Sequence, residues 1–521
     1  MHFEKSDLQQ LTPEYVGKLP SDRLVTLLHQ LREDLLCAHD RLHQDSTNSS
    51  RPPSSQPLWS KSQKEKDAAS DDGSSSSPRS GSDQDDVDPP PSHQGERNRQ
   101  DPNAQAKRKP GKQPGAPGFG RTQKFVDVRE EIHRPVHCKG CNHPFPSDAP
   151  FVATTGFETI DLVLPEPGKI GITGQCTKHV YGTIHCECGF DTVSKPHRCA
   201  PETGWSIDLG EWKLIGPMLL ALIVFAKLRL HLTIDKTRAL LSTWLGISLS
   251  EGTIGTALLE AGRAVSDLEP SILDALRKSG LIHIDETAWK ERKVLRWLWV
   301  AVGSDAVHYT VGARTTEMAQ GILGSFAGRI MSDGYGAYRS FQNRIRCWAH
   351  LNRKAKGLAD SWDKAVALFG DMAVEALKAL MEGVYRMRAC FGDARAHQRQ
   401  TAEDLEAKLC IELLRNQHSP HKPIFQFAGE ILNDVQAIFA VLRNPDLPLT
   451  NNIAEQALRP MVIMRKISHG SKTPEGSRTV ALLASVYDTL RVRRADVSLY
   501  ISQVFKSRRS GRPSPPLPAP S

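Results

Sequence analysis

The sequence has no apolar stretch long enough to cross a membrane. In the chain of 521 residues the longest apolar run is Leu214–Ala226, 13 residues between two lysines, whereas a spanning helix needs about 20. This run therefore predicts a buried helix. The N-terminal segment MHFEKSDLQQLTPEY also lacks the apolar core of a secretory signal. Both absences predict a cytoplasmic protein without a membrane partner, whose 10 cysteines are metal ligands or core residues rather than disulfides.

The excess of positive over negative charge is also small. The net charge of +8 over 521 residues does not by itself predict a polyanionic partner, although acidic residues concentrated in one segment leave the rest more basic. No internal repeats are visible in the sequence. A chain of this length is too long for one core and predicts several domains.

The N-terminal part predicts a helix followed by a linker. In residues 1–45, Leu24, Leu28, Leu31, Leu35 and Leu42 keep a spacing of alternate threes and fours, with Ala38 completing it. This pattern is typical either of a short coiled coil that would multimerise the chain or of an amphipathic helix docked on its own chain. Residues 46–112 are rich in serine, proline and aspartate, which predicts a disordered linker. The basic stretch at 107–121 is either a phosphate contact or a solvated segment.

Two cysteine pairs predict a structural zinc site within a domain at 113–200. Cys138 and Cys141 form a C-x2-C turn, and Cys186 and Cys188 form a tighter C-x-C turn followed by glycine. Four thiolates from two loops match the tetrahedral preference of zinc. Other residues of the segment are alternatives for any one ligand: Cys176, Cys199, His137, His143, His179 and His185.

The helical pattern of 203–265 contains a second motif. A helix ends near Leu245, Gly246 predicts a turn, and Ser250 predicts the cap of the next helix. The arrangement over 237–262 favours either a helix-turn-helix that reads DNA or an ordinary helical hairpin, and periodicity alone favours the hairpin.

Three carboxylates stand at predicted element ends. Asp285 follows the apolar run Leu281–Ile284, and Asp333, 48 residues further on, follows Gly328–Ser332. Glu455 comes 122 residues after Asp333, in the first turn of a predicted helix. Each has a structural alternative: Asp285 as a cap, Asp333-Gly334 as a hairpin turn, and Glu455 as part of a helix start capped by Asn452 or of an ion pair with Arg459. Together they predict a site for two divalent cations, the arrangement that cleaves or joins phosphodiesters. Glu286 would face the other side of a continuing strand.

The order of these motifs resembles transposases of the insertion sequence 66 family. The resemblance is carried by these stretches: NSSRPPSS (48–55), PGKQPGAPGFGR (110–121), the cysteine pairs, HIDET (283–287), SDGYGAY (332–338), CWAHLNRK (347–354), RNPDLPLTNNIAEQALRP (443–460) and VIMRKISHGSKTPEGS (462–477). It implies a multidomain α/β protein with a ribonuclease-H-like mixed sheet, the DDE catalytic core, at 275–355 and 443–495. It further implies a helical insertion at 356–442, and a basic Pro-rich tail is expected at 496–521.

The resemblance also implies a function. Asp285, Asp333 and Glu455 would be the catalytic triad holding two Mg²⁺ or Mn²⁺ ions. The protein would be a nucleoid-associated transposase of a bacterial insertion sequence that binds inverted-repeat ends and joins them to target DNA. Its partners would be element-end and target DNA, further copies of itself and accessory proteins of the same element.

One departure keeps alternatives open. Gln456 stands where the family usually has arginine after the glutamate, and Arg459 remains one turn later. A catalytically silent DNA-binding descendant and a zinc-dependent nuclease-fold enzyme acting on other substrates are the alternatives.

Further side chains near the triad have two interpretations each. His350, in a C-x2-H pattern with Cys347, would either assist at the scissile phosphate or pack the sheet. Tyr335, Tyr338 and Trp289 would either stack on bases or belong to the core, and core packing is the more common case.

Overall fold

The computed structural model describes residues 11–17, 19–42, 128–166, 168–202 and 204–520. The linker predicted at 46–112 lies outside these described residues. At the N-terminus, helices α1 (Pro13–Val16) and α2 (Ser21–Leu42) are present, so the leucine spacing does lie on a helix. Leu28 and Leu35 are exposed on α2, and self-association through this helix stays a prediction. No helix within the described residues is both long and apolar enough to cross a membrane.

The cysteine-bearing segment forms a four-stranded sheet from β1 (Val128–His133), β2 (Val152–Val163), β3 (Thr173–His185) and β4 (Asp191–Val193). β3 pairs with β1 in parallel and with β2 and β4 in antiparallel. Ile160 and Leu162, two residues apart on β2, are buried, as alternation on a half-buried strand requires. Between them Asp161 accepts the backbone N–H of Leu219 at 2.8 Å, so β2 caps the following helix.

Three helices follow: α3 (Pro217–Leu228), α4 (Ile234–Leu245) and α5 (Glu251–Ala264). The apolar run predicted as a buried helix forms α3, with most of its side chains buried. Gly246 ends α4 in the left-handed conformation at φ 64°, and the Ser250 hydroxyl accepts the N–H of Thr253 at the start of α5. Both predicted helix ends are therefore confirmed. The C-terminal half of α5 is buried, so only its N-terminal half is on the surface.

A five-stranded mixed sheet forms the centre of the chain. Its strands and helices are a 3₁₀ turn (Ser266–Leu268), α6 (Glu269–Arg277), β5 (Leu281–Glu291), β6 (Val294–Val302), β7 (Val307–Gly312), α7 (Thr316–Leu323), β8 (Arg329–Ser332), a 3₁₀ turn (Gly336–Ser340) and β9 (Arg344–Arg346). The strand order is β7-β6-β5-β8-β9, antiparallel among β5, β6 and β7, and parallel from β5 to β8 and β9. Consecutive residues Leu298–Val302 of β6 are buried because the sheet is covered on both faces.

Two expectations about the carboxylate-bearing strands have different outcomes. β5 does not end at Asp285 but continues to Glu291, since its pairing with β6 runs unbroken to Val294. β8 does end at Ser332, directly before Asp333. The next strand, β9, is parallel to β8, so Asp333-Gly334 is not a hairpin turn.

Helices follow β9 over residues 348–443, a range that begins eight residues before the helical block predicted at 356–442. The observed block consists of α8 (Trp348–Ala359), α9 (Lys364–Ala389), α10 (Gly392–Asn416), α11 (Lys422–Leu432), α12 (Val435–Ile438) and α13 (Ala440–Arg443). Its apolar residues share one core with Met331 and Ile345 of the sheet. Ion pairs also join the two parts, since Asp434 binds Arg344 and Arg346, and Glu430 binds Arg346 and Lys354.

The chain returns to the sheet through α14 (Asn452–Ser468), α15 (Pro474–Val492) and α16 (Val497–Arg509). The expectation of a tail at 496–521 is wrong over its first half. Tyr500, Ile501, Val504 and Phe505 lie on one face of α16 and are buried, which is the spacing of an amphipathic helix. The buried Arg509 pairs with the buried Glu260 of α5 at 2.8 Å, so this segment is docked.

Candidate active site

The parallel pairing of β5 and β8 ends just before the first two predicted carboxylates. His283 pairs with Met331, and Asp285 and Asp333 each follow that pair by two residues along the chain. Asp333 accepts the backbone N–H of Tyr335 at 2.8 Å, which orients its carboxylate. Burial, followed by the charges of Glu286, Asp333 and Glu455, raises the pKa of Asp285 well above its ordinary value. The three predicted carboxylates are thus close enough to interact.

Asn451 fixes the start of the helix that carries Glu455 against β5. Its side chain is fully buried, donates Nδ2–H to the carbonyl of Ile284 at 2.9 Å and accepts from His283 Nδ1 at 3.0 Å. Its backbone N–H reaches Cys347 Sγ at 3.2 Å. The start of α14 is therefore fastened to β5 immediately before Asp285. Glu455 lies in the first turn of that helix.

The N-cap position of α14 lies one residue earlier than predicted, at Asn451 rather than at Asn452. α14 begins at Asn452, which is exposed, and Asn451 holds the cap position without a side-chain capping bond. The Asn451 side chain instead forms hydrogen bonds with β5, because buried polar groups of that strand need partners. Asn452, Gln456 and Arg459 form an exposed stripe along α14 beside Glu455.

Two side chains of α8 face Glu455. Arg353 Nη2 lies 3.4 Å and His350 Nδ1 3.9 Å from its Oε1, so the predicted ion pair with Arg459 is replaced by one with Arg353. Burial, followed by the charges of Arg353 and Lys354, lowers the pKa of His350 to about 3. His350 is therefore neutral at physiological pH, and within the described structure its Nδ1 has no hydrogen-bond partner. Cys347, its predicted companion, is fully buried.

Glu286 occupies the other face of β5, as alternation along a continuing strand predicts. Arg314 donates two bonds to its Oε1, at 2.9 and 2.8 Å, and Tyr338 donates to its Oε2 at 2.5 Å. Burial and the charge of Asp333 raise the pKa of Glu286 to about 7. The Arg314 guanidinium also lies 3.9 Å from the ring centre of Tyr335. This cluster holds the loop after Asp333 and was not predicted, because Arg314 lies in no motif.

The aromatic residues considered for base stacking belong to the core in two of three cases. Trp289 and Tyr338 are buried, and Trp289 donates its ring N–H to Ser471. Tyr335 is partly exposed and carries Arg314 on its ring. Core packing therefore describes Trp289 and Tyr338.

The four predicted cysteines come together. The Sγ atoms of Cys138, Cys141, Cys186 and Cys188 all lie within 4.8 Å of one another. Cys138 and Cys188 are 3.6 Å apart, and Cys141 and Cys186 are 3.7 Å apart, close to the sulfur separation of about 3.8 Å in a tetrahedral zinc site. A backbone hydrogen bond at Cys141 lowers the pKa of the Cys138 thiol to about 6. The donor set fits a closed structural metal site.

The carboxylate set fits hard divalent cations in a different way. Oxygen donors are what Mg²⁺ and Mn²⁺ prefer. Burial first, and then the neighbouring carboxylates, raise the pKa of Asp285, and a bound dication would favour its charged form. Asp285, Asp333 and Glu455 are the side chains that could hold such ions.

Comparison with known proteins identifies a family whose model matches this chain. The model described as "Transposase IS66 family" matches residues 213–479. Curated relatives are uncharacterized proteins of Sinorhizobium fredii (strain NBRC 101917 / NGR234). Protein y4jD is 23% identical over 327 residues, 56% of this chain and 62% of that protein. Protein y4qI is 23% identical over 313 residues, 54% of this chain and 55% of that protein. The alignments therefore span about three-fifths of the length of these curated relatives.

Proposed function

Because this chain belongs to the IS66 family of transposases, we propose that it binds the terminal inverted repeats of an insertion sequence and catalyses metal-dependent DNA cleavage and strand transfer. The observation that supports the proposal is geometric: β5 and β8 pair in parallel up to His283 and Met331, just before Asp285 and Asp333, and Asn451 fastens the start of α14, which carries Glu455, to Ile284. A carboxylate triad is the arrangement that two-metal phosphodiester chemistry needs.

The strand order supports a ribonuclease-H-like assignment for this core. Three antiparallel strands are extended by two parallel strands, and Asp285 lies on the central strand. Glu455 reaches the same region from a helix that packs on β5. The helical block between β9 and α14 occupies the place of the expected insertion.

In the proposed reaction, a water oxygen attacks the phosphorus at the element end and the 3′ oxygen leaves as a hydroxyl. That hydroxyl then attacks a target phosphodiester, and the target 3′ oxygen leaves. Two Mg²⁺ or Mn²⁺ ions, when bound, would activate the attacking oxygen and stabilise the leaving oxygen. Asp285 and Asp333 would share one ion and Glu455 would complete the second site.

The neighbouring residues have supporting roles in this proposal. Asn451 positions Glu455 through the contacts to β5, and Arg353 holds the Glu455 carboxylate in place. His350, neutral and without a hydrogen-bond partner on Nδ1, would accept a hydrogen bond from the attacking or leaving hydroxyl. Arg459 would contact DNA from the exposed surface of α14.

Other parts of the chain would serve DNA recognition and assembly. Zinc held by the four cysteines would fix the fold of the β1–β4 domain, which together with α4 and α5 would contact DNA. The α2 helix would join copies so that two element ends are held together, and accessory proteins of the same element would act with them.

Purified protein incubated with element-end DNA and Mg²⁺ tests the proposal. We expect strand cleavage by the wild type and a loss of about 10³-fold or more in Asp285→Asn and Glu455→Gln, since each removes a ligand that acts in the transition state. Asn452→Ala, on the exposed surface nearby, is the matched control for folding. Specific binding of the ends without cleavage by any form would support the catalytically silent descendant instead.

A further inference from the structure

The turn between β5 and β6 has an unusual sequence for its shape. Arg292 and Lys293 are its only two residues, and both have positive φ, 49° and 69°. A two-residue hairpin with both angles positive is a type I′ turn, which strongly prefers Asn-Gly because side chains are strained there. Two long cationic side chains thus occupy positions where they cost stability, and strain of this kind concentrates at functional sites.

This turn is fastened to the loop that follows α14. The Arg292 backbone N–H donates to the carbonyl of Ser471 at 3.1 Å, and its Nε donates to the carbonyl of Lys472 at 3.2 Å. Gly470, at φ 101°, lies so close to the carbonyl of Lys290 that a Cβ would be 2.1 Å from it. The turn and the loop therefore form one fixed surface.

That surface is basic and exposed. Its members, which we call the basic turn surface, are Lys290, Arg292, Lys293, His469 and Lys472, all of them exposed. Three of the six non-glycine residues with positive φ in the described chain, Arg292, Lys293 and His469, belong to it. The acidic neighbour Glu291 is mostly buried and lies 3.9 Å from Arg296. Fixed cations with little acidic compensation match a phosphate backbone.

The distance from the basic turn surface to the carboxylates follows from β5 and α14, which lie beside each other at both of their ends. β5 runs six residues from Asp285 to Glu291, about 20 Å at 3.3 Å per residue. α14 runs thirteen residues from Glu455 to Ser468, also about 20 Å at 1.5 Å per residue. The helix packs on the strand, and Glu291 bridges to Ser471 at the far end. The basic turn surface thus lies about 20 Å from the carboxylates, which is about six base pairs at 3.4 Å each.

We propose that the basic turn surface binds the phosphate backbone of the duplex DNA substrate about six base pairs from the scissile phosphate. Its rigid attachment to β5 and α14, which also carry Asp285 and Glu455, would set the distance between the gripped phosphates and the cut. This inference rests on the proposed function, because the substrate is the same DNA.

The test is a substitution that relieves the turn while removing its charge. Arg292→Asn with Lys293→Gly gives the preferred type I′ sequence, so the folded state keeps or raises its melting temperature. Binding of the full chain to a fluorescein-labelled element-end duplex is measured in Ca²⁺, over a range of salt concentrations. We expect the slope of log affinity against log salt to fall by about 1.8, and affinity at 0.1 M salt to fall by up to about 60-fold.

A matched control separates this surface from net charge. Arg399→Gln with Lys408→Gln removes two exposed cations from α10 and is expected to change neither slope nor affinity by a comparable amount. Equal affinity and slope for wild type and turn variant would overturn the proposal. Ethylation of phosphates about six base pairs from the cut should weaken binding of the wild type but not of the turn variant.

The outcome is distinct from that of the catalytic proposal. Binding is measured without turnover, so a protein that never cleaves still reports on the surface. A turn variant that cleaves the same DNA and binds it with unchanged affinity would refute DNA binding by the basic turn surface. It would leave the transposase proposal standing.

Discussion

Replacing Asn451 by alanine tests how the third carboxylate is positioned. The change removes two side-chain hydrogen bonds, to Ile284 and His283, at a site without solvent exposure. Each is worth about 1 kcal/mol, and the buried groups left unpaired add to this, so the total loss is about 2–4 kcal/mol. Glu455 would lose its fixed distance to Asp285 as well.

Urea unfolding gives the magnitude, with Asn452→Ala as the control. The exposed Asn452 makes none of these contacts, so that variant should lie within about 0.5 kcal/mol of the wild type. Strand cleavage by Asn451→Ala should fall much further than by Asn452→Ala under conditions where both remain folded. Equal stability and equal cleavage in the two variants would refute the positioning role of Asn451.

Three further predictions concern other parts of the chain. Cys138→Ser should lose the bound zinc measured by metal analysis, and full retention would contradict a four-cysteine site. Arg509→Met should destabilise by about 3–5 kcal/mol because it leaves Glu260 buried and unpaired, and adding Glu260→Met should restore most of the loss in urea unfolding. The pKa of His350 is about 3 in the folded protein and about 6.5 in the unfolded chain. Between these values only the unfolded chain takes up a proton on His350. The free energy of unfolding should therefore fall as the pH drops below about 6.5, by at most about 1.4 kcal/mol per pH unit. In the presence of chelator, His350→Gln should lack this contribution, and an identical pH dependence in both proteins would contradict it.

Local patterns were sufficient where one short stretch decides the structure. Gly246 and Ser250 mark helix ends because their preferences act within one turn. The four predicted cysteines lie together, as the ligand spacing of their two turns predicts. Asp333 was placed after its strand because an apolar run stops there.

Features that depend on distant partners could not be read in this way. Whether Asn451 or Asn452 caps α14 depends on the buried groups of β5, which are far away in sequence. The composition of the C-terminal segment suggested a tail, although Arg509 has a buried partner in α5. The burial of Glu286 against Arg314 likewise depends on tertiary contacts, which override local pattern.

Iron-directed cleavage of the polypeptide tests the central claim most directly. Fe²⁺ substituted for Mg²⁺ generates radicals with ascorbate and peroxide that cut the backbone beside its ligands, and no element-end DNA is required. We predict cuts near Asp285, Asp333 and Glu455, all suppressed by excess Mg²⁺ and weakened together in Asp333→Asn. Cuts at only one of these positions, or cuts unaffected by Asp333→Asn, would contradict a shared metal site.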